Sequence, residues 1–362
     1  MLPTALNAVC PYYTMYPLDF PLRVLKRDGK PGEWVIDPFC GRGTTNFAAR
    51  LLGMPSVGVD SSPVAAALAK AKLSFASPAR VVASAKAILA ASREPSYVPT
   101  GAFWKLAYHD KTLLELCRLR EALLEDCSSS TRILLRAIVL GALHGPRPKR
   151  IPSYFSNQSP RTFAPKPNYA VRFWTDRHLQ PEAVDVLAII TARASRYLAE
   201  SLPCVDGTVK LADSRSSETF RRLPKARWIV TSPPYYGMRT YLPDQWLRNW
   251  FLGAPDYVEY RQPEAQLEHT GADHFSAEMA RVWKNMADVS APGARLVIRF
   301  GGIHDRDAHP MDVLRSSLDK SGWVIATTKR VPDADTGRRQ VRQFQASPKT
   351  SIAEHDVYCR IT

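Results

Sequence analysis

Short apolar runs alternate with amphipathic stretches near the start of the chain. Residues 34–37 form an apolar run that ends in an acid, and residues 57–60 repeat this pattern. Thr44-Thr45, which suit a helix N-terminus, begin a helical pattern that reaches residue 52, and an Ala-rich helical pattern extends from residue 63 to about 74. Strands that alternate with helices form parallel sheets with helices on both faces, so this opening predicts an α/β fold.

The alternation stops in the middle of the chain. Helical patterns without convincing buried strands cover residues 79–92, 112–126, 131–143 and 179–201. Between them, a segment rich in proline, aromatic and basic residues is predicted to be a loop over 145–174. The middle of the chain therefore predicts a largely helical insertion.

The strand pattern resumes after residue 205. Predicted strands cover residues 209–213, 228–231, 295–300, 323–328 and 355–361, and predicted helices cover 274–290 and 309–321. We therefore expect one α/β domain made of residues 1–76 and 206–362, in which residues 77–205 are an inserted region.

Composition and charge narrow the class of protein. Hydrophobic residues make up 45% of the 362 positions and charged residues 23%, which is the balance of a folded globular protein. No segment approaches the roughly 20 apolar residues that cross a bilayer, and the six cysteines lack the spacing of a metal site. We expect a cytoplasmic protein with reduced thiols and no metal. The net charge of +15 favours a polyanionic partner, above all a nucleic acid.

A glycine turn follows the first predicted strand, in the segment Asp37-Pro38-Phe39-Cys40-Gly41-Arg42-Gly43-Thr44-Thr45. Glycines there let the backbone pass close to a bound ligand, and the N–H groups of the next helix face it. The third glycine of a dinucleotide-binding turn is missing, since Asn46 occupies its position. Asp60 is placed to accept hydrogen bonds from ribose hydroxyls. An ordinary tight turn is the alternative for this segment.

A second candidate site follows the predicted strand at 228–231. The segment Thr231-Ser232-Pro233-Pro234-Tyr235-Tyr236-Gly237 contains two prolines, which lack a backbone N–H and fix φ, so that they hold a rigid loop. In open α/β sheets, ligands bind at the carboxyl ends of the strands, where this loop begins. Its hydroxyl, free carbonyls and aromatic rings suit a planar ring that carries an exocyclic amine.

The two segments together resemble those of the S-adenosylmethionine-dependent DNA amino-methyltransferases, which modify cytosine N4 or adenine N6. Residues 16–21 are similar to the family segment that closes over the methionine end of the cofactor, and Asp213 is similar to the acid that contacts its adenine amino group. The resemblance implies a Rossmann-like class I methyltransferase fold with a mostly parallel seven-stranded sheet. It also implies S-adenosylmethionine as the cofactor.

The resemblance further implies the roles of individual residues. Cofactor binding is expected at Tyr16, Pro17, Phe20, Asp37, Pro38, Phe39, Gly41, Gly43, Thr44, Thr45, Asp60 and Asp213. Catalysis is expected at Ser232, Pro233, Pro234 and Tyr235. The cofactor segment comes first in the chain, as in one group of the family, and this order places the target-recognition region within residues 77–205.

Basic and aromatic residues interleave within the inserted region. The candidate DNA-binding residues are Arg147, Lys149, Arg150, Tyr154, Arg161, Lys166, Tyr169 and Arg172. Basic side chains can neutralise phosphates and aromatic rings can stack on bases, so we expect double-stranded DNA as the partner. The alternative is an irregular loop whose rings pack on the core while its charges face solvent.

We therefore expect a site-specific DNA methyltransferase that acts on a base flipped out of the duplex. Ser232 favours cytosine N4 as the target, since family members with Asp or Asn at this position lean to adenine N6. A restriction-modification setting, with a cognate endonuclease as a second partner, is typical of the family. The alternatives are adenine N6 methylation, methylation of an RNA base, and a catalytically inactive DNA-binding subunit. The oligomeric state stays open.

Overall fold

Two compact units make up the chain. The computed structural model describes residues 4–11, 16–91, 93–146, 152–158, 166–237, 245–260, 266–269, 271–301, 308–331 and 354–362. The sheet unit comprises residues 12–73, 203–240 and 263–362, and the helical unit comprises residues 1–11, 74–202 and 241–262.

Seven strands form one sheet in the sheet unit, in the order β3-β2-β1-β4-β5-β7-β6. The strands are β1 (Val35–Asp37), β2 (Ser56–Asp60), β3 (Gly207–Leu211), β4 (Ala226–Thr231), β5 (Ser290–Phe300), β6 (Trp323–Arg330) and β7 (His355–Ile361). Strand β7 runs antiparallel to both of its neighbours, and the other adjacent pairs are parallel. This order and the reversed strand confirm the predicted Rossmann-like class I methyltransferase fold.

Twelve α-helices lie in the described part of the chain. They are α1 (Asp19–Asp28), α2 (Thr44–Leu51), α3 (Pro63–Leu73), α4 (Pro78–Ala90), α5 (Ala102–Ala107), α6 (Asp110–Glu125), α7 (Ser130–Ala142), α8 (Pro167–Thr175), α9 (Val186–Tyr197), α10 (Trp246–Phe251), α11 (Ala272–Asp288) and α12 (Pro310–Leu318). Short 3-10 helices cover Ala5–Ala8 and Ser217–Phe220.

Alternate residues of the strands face opposite sides of the sheet. On one side, Ile36 of β1 and Ile229 of β4 pack against the apolar face of α11. On the other side, Val35 and Trp228 pack against α1 and α2. Burial on both faces explains why these parallel strands are almost continuously apolar. It also holds the carboxyl ends of β1 and β4 side by side, at the point where the strand order reverses direction.

Aromatic side chains form the centre of one part of the helical unit. Phe103 and Trp104 of α5, Trp174 of α8, and Trp246 and Trp250 of α10 are buried. Their contacting rings have centroids 4.6–5.8 Å apart. Among the described helices, none combines the length and the apolar composition that crossing a membrane would require.

Three sequence expectations differ from this architecture. The predicted loop over 145–174 is wrong at its end, because Ala170 and Trp174 lie one helical turn apart and are both buried on α8. The helix predicted over 179–201 is shorter, because it begins only after Asp185, whose carboxylate accepts a hydrogen bond from the Ala188 N–H at 2.8 Å. Of the residues expected in the catalytic domain, 4–11 and 245–260 belong instead to the helical unit.

Candidate active site

Asp37, the last residue of β1, joins the two candidate segments. Its side chain is fully buried, and its Oδ1 accepts hydrogen bonds from the Thr231 hydroxyl at 2.6 Å and from the Phe39 N–H at 3.1 Å. Its Oδ2 accepts a hydrogen bond from the Tyr16 hydroxyl at 2.9 Å. Burial raises the pKa of the Asp37 carboxyl, and the hydrogen bonds from Thr231, Tyr16 and the Phe39 N–H lower it in part.

The glycine turn brings α2 close to α3. Gly41 and Gly43 have φ angles of +50° and +76°, which favour glycine. A Cβ atom on Gly43 would lie 2.8 Å from the Ala69 Cα of α3, so a side chain would clash there. Gly43 is also the N-cap residue of α2, and no side chain caps the helix. The expected threonine cap is therefore wrong, and Thr45 instead donates a hydrogen bond to the Val230 carbonyl at 3.1 Å.

Asp60, the last residue of β2, accepts two backbone hydrogen bonds. The donors are the N–H groups of Gly41 and Ser62, each at 2.8 Å. Burial raises the pKa of the Asp60 carboxyl to about 6, although both hydrogen bonds lower it. A carboxylate has lone pairs for about four hydrogen bonds, so two remain for hydroxyl donors. This arrangement fits a ribose with two free hydroxyls.

Asp213, just after β3, is engaged by Arg215. The guanidinium forms two parallel hydrogen bonds to the carboxylate, with Nε–Oδ1 at 3.0 Å and Nη2–Oδ2 at 2.7 Å. Arg215 also pairs with the buried Glu278 of α11. Burial raises the pKa of Asp213, but its bonds to Arg215 outweigh this and hold the pKa below the ordinary value. An adenine amino group would therefore share Asp213 with Arg215, a partner that the sequence analysis missed.

The remaining predicted cofactor residues also lie in the sheet unit. Tyr16 and Phe20 pack edge to face with centroids 5.5 Å apart, and the Pro17 carbonyl accepts a hydrogen bond from the Phe20 N–H at 3.1 Å. The Pro38 carbonyl accepts a hydrogen bond from the Ser214 hydroxyl at 2.6 Å. The other members of the set are Phe39, which packs edge-on to Trp283, and Thr44, which is buried at the start of α2.

The segment Ser232-Pro233-Pro234-Tyr235 begins directly after β4. Since β4 is parallel to β1 and lies beside it, Ser232 and Asp37 belong to the same edge of the sheet. The Tyr235 ring packs edge to face on Phe300 of β5, with centroids 5.4 Å apart. The Tyr235 hydroxyl donates a hydrogen bond to Glu354 Oε1 at 3.0 Å.

The candidate DNA-binding residues fall into two groups. Arg147, Lys149, Arg150 and Arg161 lie outside the described residues. Tyr154 is half-buried beneath the Arg193 guanidinium, which lies 4.8 Å from the ring centroid, whereas Lys166, Tyr169 and Arg172 are exposed at α8. Two further aromatic residues of this region, Phe155 and Trp174, are buried. Some rings therefore pack in the core, as the alternative predicted, and others face solvent.

The first candidate segment, residues 37–45, lies in a part of the chain that matches a known protein family. The strand order, with Asp37 and Asp60 at the ends of neighbouring strands, is that of the class I methyltransferase fold. The family model for DNA methylases of the N6/N4 type matches residues 7–71, which include both carboxylates. This segment of the chain is therefore similar to the N6/N4 DNA methylase family, as predicted, and the similarity supports S-adenosylmethionine as the cofactor. A search of curated proteins gives no significant match.

Solved methyltransferase structures resemble the chain at low sequence identity. TrmN from Thermus thermophilus has a TM-score of 0.39 and 10% identity over 99% of this chain, which spans 53% of TrmN. The rRNA methyltransferase aviRa from Streptomyces viridochromogenes has a TM-score of 0.39 and 13% identity, covering 99% of this chain and 93% of that one. The magnesium protoporphyrin IX methyltransferase from Synechocystis PCC 6803 has a TM-score of 0.35 and 11% identity, covering 95% of this chain and 78% of that one. Likenesses at this level do not assign a substrate.

Proposed function

We propose that the chain transfers a methyl group from S-adenosylmethionine to the exocyclic N4 amine of a cytosine flipped out of double-stranded DNA. The observation that carries this proposal is the position of the Asp37 carboxylate. It accepts a hydrogen bond from Thr231, the residue that directly precedes Ser232. Asp37 is also the last residue of β1, the strand that leads into the glycine turn. One buried group thereby holds the cofactor segment and the Ser-Pro-Pro-Tyr segment at the same edge of the sheet.

The exocyclic amine is a poor nucleophile and is poorly accessible inside a duplex. Its lone pair is delocalised into the base and its hydrogens are paired inside a duplex, so the base must first be extruded, at a cost of a few kcal/mol. The Ser232 hydroxyl and the Pro233 carbonyl accept the two amine hydrogens and draw the nitrogen towards tetrahedral geometry. The cofactor supplies a methyl group on a positively charged sulfur, which keeps the electron pair of the broken S–C bond, and the methylated nitrogen releases one proton to water. Orientation and fixed dipoles then account for most of the rate.

The identity of the target base rests on Ser232. A hydroxyl at this position accepts a hydrogen bond without adding negative charge, and the family resemblance associates serine with cytosine N4. Adenine N6 is the alternative, because a hydroxyl can accept a hydrogen bond from either amine. Protection of host DNA beside a cognate restriction endonuclease is the setting that we propose for this activity.

The exposed face of α8 supports a nucleic acid as partner. Ala170 and Trp174 bury the inner face of this helix, whereas Tyr169 is 56% exposed and stacks on Phe173 with centroids 6.4 Å apart. The Arg177 guanidinium lies 4.0 Å from the Phe173 ring centroid. Lys166 and Arg172 are exposed beside these rings. Such a surface combines phosphate-binding cations with rings on which bases can stack.

Removing two cations from this face is expected to weaken DNA binding. In the double variant Lys166→Ala/Arg172→Ala, the dissociation constant for duplex DNA should rise about tenfold, and the slope of log K against log salt should fall by about two. Fluorescence anisotropy at several salt concentrations measures both. The matched control is Arg80→Ala/Lys86→Ala, which removes two exposed cations from α4 of the same unit. Equal losses in the two double variants would contradict a specific role of α8.

The reaction itself is tested by methyl transfer to unmodified nucleic acid. The purified chain is incubated with labelled S-adenosylmethionine and unmethylated duplex DNA, or with RNA, and the digested nucleosides are analysed by mass spectrometry. We expect N4-methyldeoxycytidine. N6-methyldeoxyadenosine would keep the mechanism and change the target base, whereas label in RNA alone would replace DNA as the substrate.

A further inference from the structure

The outer strands β6 and β7 are covered on one face of the sheet and open on the other. The side chains that belong to the core with α11 and α12 are Trp323, Ile325, Val357 and Cys359. Alternate residues point to the opposite face, where Tyr358 of β7 packs beside α1. On that face, Val324 of β6 is 56% exposed. This part of the sheet is therefore accessible on the side of α1.

Five basic side chains line this accessible face. Lys329 of β6 and Arg360 of β7 are exposed, and the strand register places Arg360 opposite Arg295 of β5. Because directly opposite residues point to the same side of a sheet, Arg295 shares this face. Arg23 and Arg27 belong to the adjacent helix α1, and their side chains are 61% and 50% exposed. We call these five residues the basic face.

The Tyr358 ring lies at the centre of the basic face. The Arg27 guanidinium lies 5.5 Å from the ring centroid and the Lys329 ammonium lies 5.6 Å from it. These contacts join a helix to two strands and hold two long, flexible side chains beside one ring. Side chains that are already held lose less conformational entropy when they bind a ligand.

Two carboxylates, Asp28 and Asp356, neutralise the basic face in part. Asp28 binds two of its arginines, at 2.9 and 2.6 Å, and Asp356 binds the third, at 3.2 Å. Asp356 also pairs with the buried Arg299 of β5. Lys329 and Arg360 form no ion pair with any residue in the described part of the chain. The basic face therefore has a surplus of positive charge.

We propose that the basic face binds the phosphate backbone of double-stranded DNA, in addition to the contacts proposed for α8. The inference rests on the proposed function for the identity of this polyanion. Phosphates match the charge of the face, and each cation that neutralises one releases counterions from the DNA. A second copy of the chain, related by a two-fold axis, would instead bring like charges together. Phosphate contacts contain no sequence information, so the face should bind every duplex alike.

Fluorescence anisotropy of labelled duplex DNA, at several salt concentrations, tests this contact. Lys329→Ala/Arg360→Ala should raise the dissociation constant about tenfold and lower the slope of log K against log salt by about two. The loss should be equal for duplexes of different sequence. The matched control is Lys284→Ala/Arg315→Ala, which removes two exposed cations from α11 and α12 on the other side of the sheet. It should keep the wild-type affinity, and both double variants should keep the wild-type midpoint of thermal unfolding.

Lysine labelling of the wild-type chain tests the same face without any substitution. Saturating duplex DNA should slow the acylation of Lys329 by an amine-reactive ester several-fold, because a bound phosphate backbone shields the ammonium group. The labelling rate of Lys284, on the other side of the sheet, should not change. Mass spectrometry of the digested chain measures both rates.

Several results would overturn the inference. The first is an equal loss of DNA affinity in the two double variants, and the second is a labelling rate of Lys329 that DNA does not change. Weakened RNA binding with unchanged DNA binding would assign the face to RNA instead. A dimer that only Lys329→Ala/Arg360→Ala disrupts, with DNA binding unchanged, would assign it to a second copy. A wild-type chain that binds DNA through this face but transfers no methyl group would overturn the proposed function alone.

Discussion

Ser232→Ala is expected to lower the rate of methyl transfer to DNA by about 100-fold or more, which is the usual effect of removing one preorganised polar group from an active site. The substitution deletes the oxygen that accepts an amine hydrogen and leaves Pro233 as the remaining acceptor. Neither the glycine turn nor Asp60 changes, so the dissociation constant for S-adenosylhomocysteine should stay at the wild-type value. Single-turnover transfer of labelled methyl groups and calorimetric titration measure the two quantities.

The matched control for this substitution is Ser316→Ala, which removes an exposed hydroxyl from α12. It should transfer methyl groups at the wild-type rate. An unchanged rate in Ser232→Ala would exclude the acceptor role of Ser232. A chain that binds DNA and cofactor but transfers no methyl group, in the wild type as in the variant, would instead support the catalytically inactive DNA-binding subunit.

Asp37→Ala is expected to lower the free energy of unfolding by about 3–5 kcal/mol, because it removes the buried acceptor of two donors and one of the two partners of a third. The two donors are the Thr231 hydroxyl and the Phe39 N–H, and the third is the Tyr16 hydroxyl, which also contacts the Thr45 hydroxyl. Cofactor affinity should fall as well, since the glycine turn loses the group that fixes its start. Urea unfolding followed by circular dichroism measures the stability.

Asp37→Asn is the matched control for the loss of stability. Its amide oxygen can still accept from Thr231 and Phe39, and its NH₂ group can donate to the Tyr16 oxygen, so a loss of about 1 kcal/mol is expected. The pKa of Asp37 is raised above 3.8 in the folded chain. The favourable contribution of Asp37 to the free energy of unfolding is therefore complete below pH 3.8 and declines as the pH rises through the folded-state pKa. Asp37→Asn should remove this decline, and a stability loss in Asp37→Ala no larger than in Asp37→Asn would contradict the role of Asp37 as an acceptor.

Much of the sheet unit was predictable because its determinants are local. Each parallel strand is a short apolar run, and the turn after β1 requires glycine at two positions with positive φ. Asp37 and Asp60 were expected at the ends of strands, and both lie there in the structure. Helix α8 was missed because its proline-rich, basic surroundings are typical of loops, whereas burial of Ala170 and Trp174 decided its conformation.

The partners of the site residues were not predictable. Arg215 pairs with both Asp213 and Glu278, and the latter is 63 positions away along the chain. Glu354 lies 119 positions from Tyr235, and no motif marks it. Such pairs form only when helix α11 packs on the sheet, or when β7 joins the sheet as an antiparallel strand. The spacing of residues along the sequence predicts neither arrangement.

The sequence by itself therefore determined the class of fold and the two candidate segments, since apolar periodicity and short motifs are properties of neighbouring residues. Only the tertiary structure decided how the segments are joined. The Asp37 carboxylate binds residues from three parts of the chain, and Glu354 reaches Tyr235 through the antiparallel strand β7. These contacts depend on strand order and direction, which are fixed by the packing of the whole sheet.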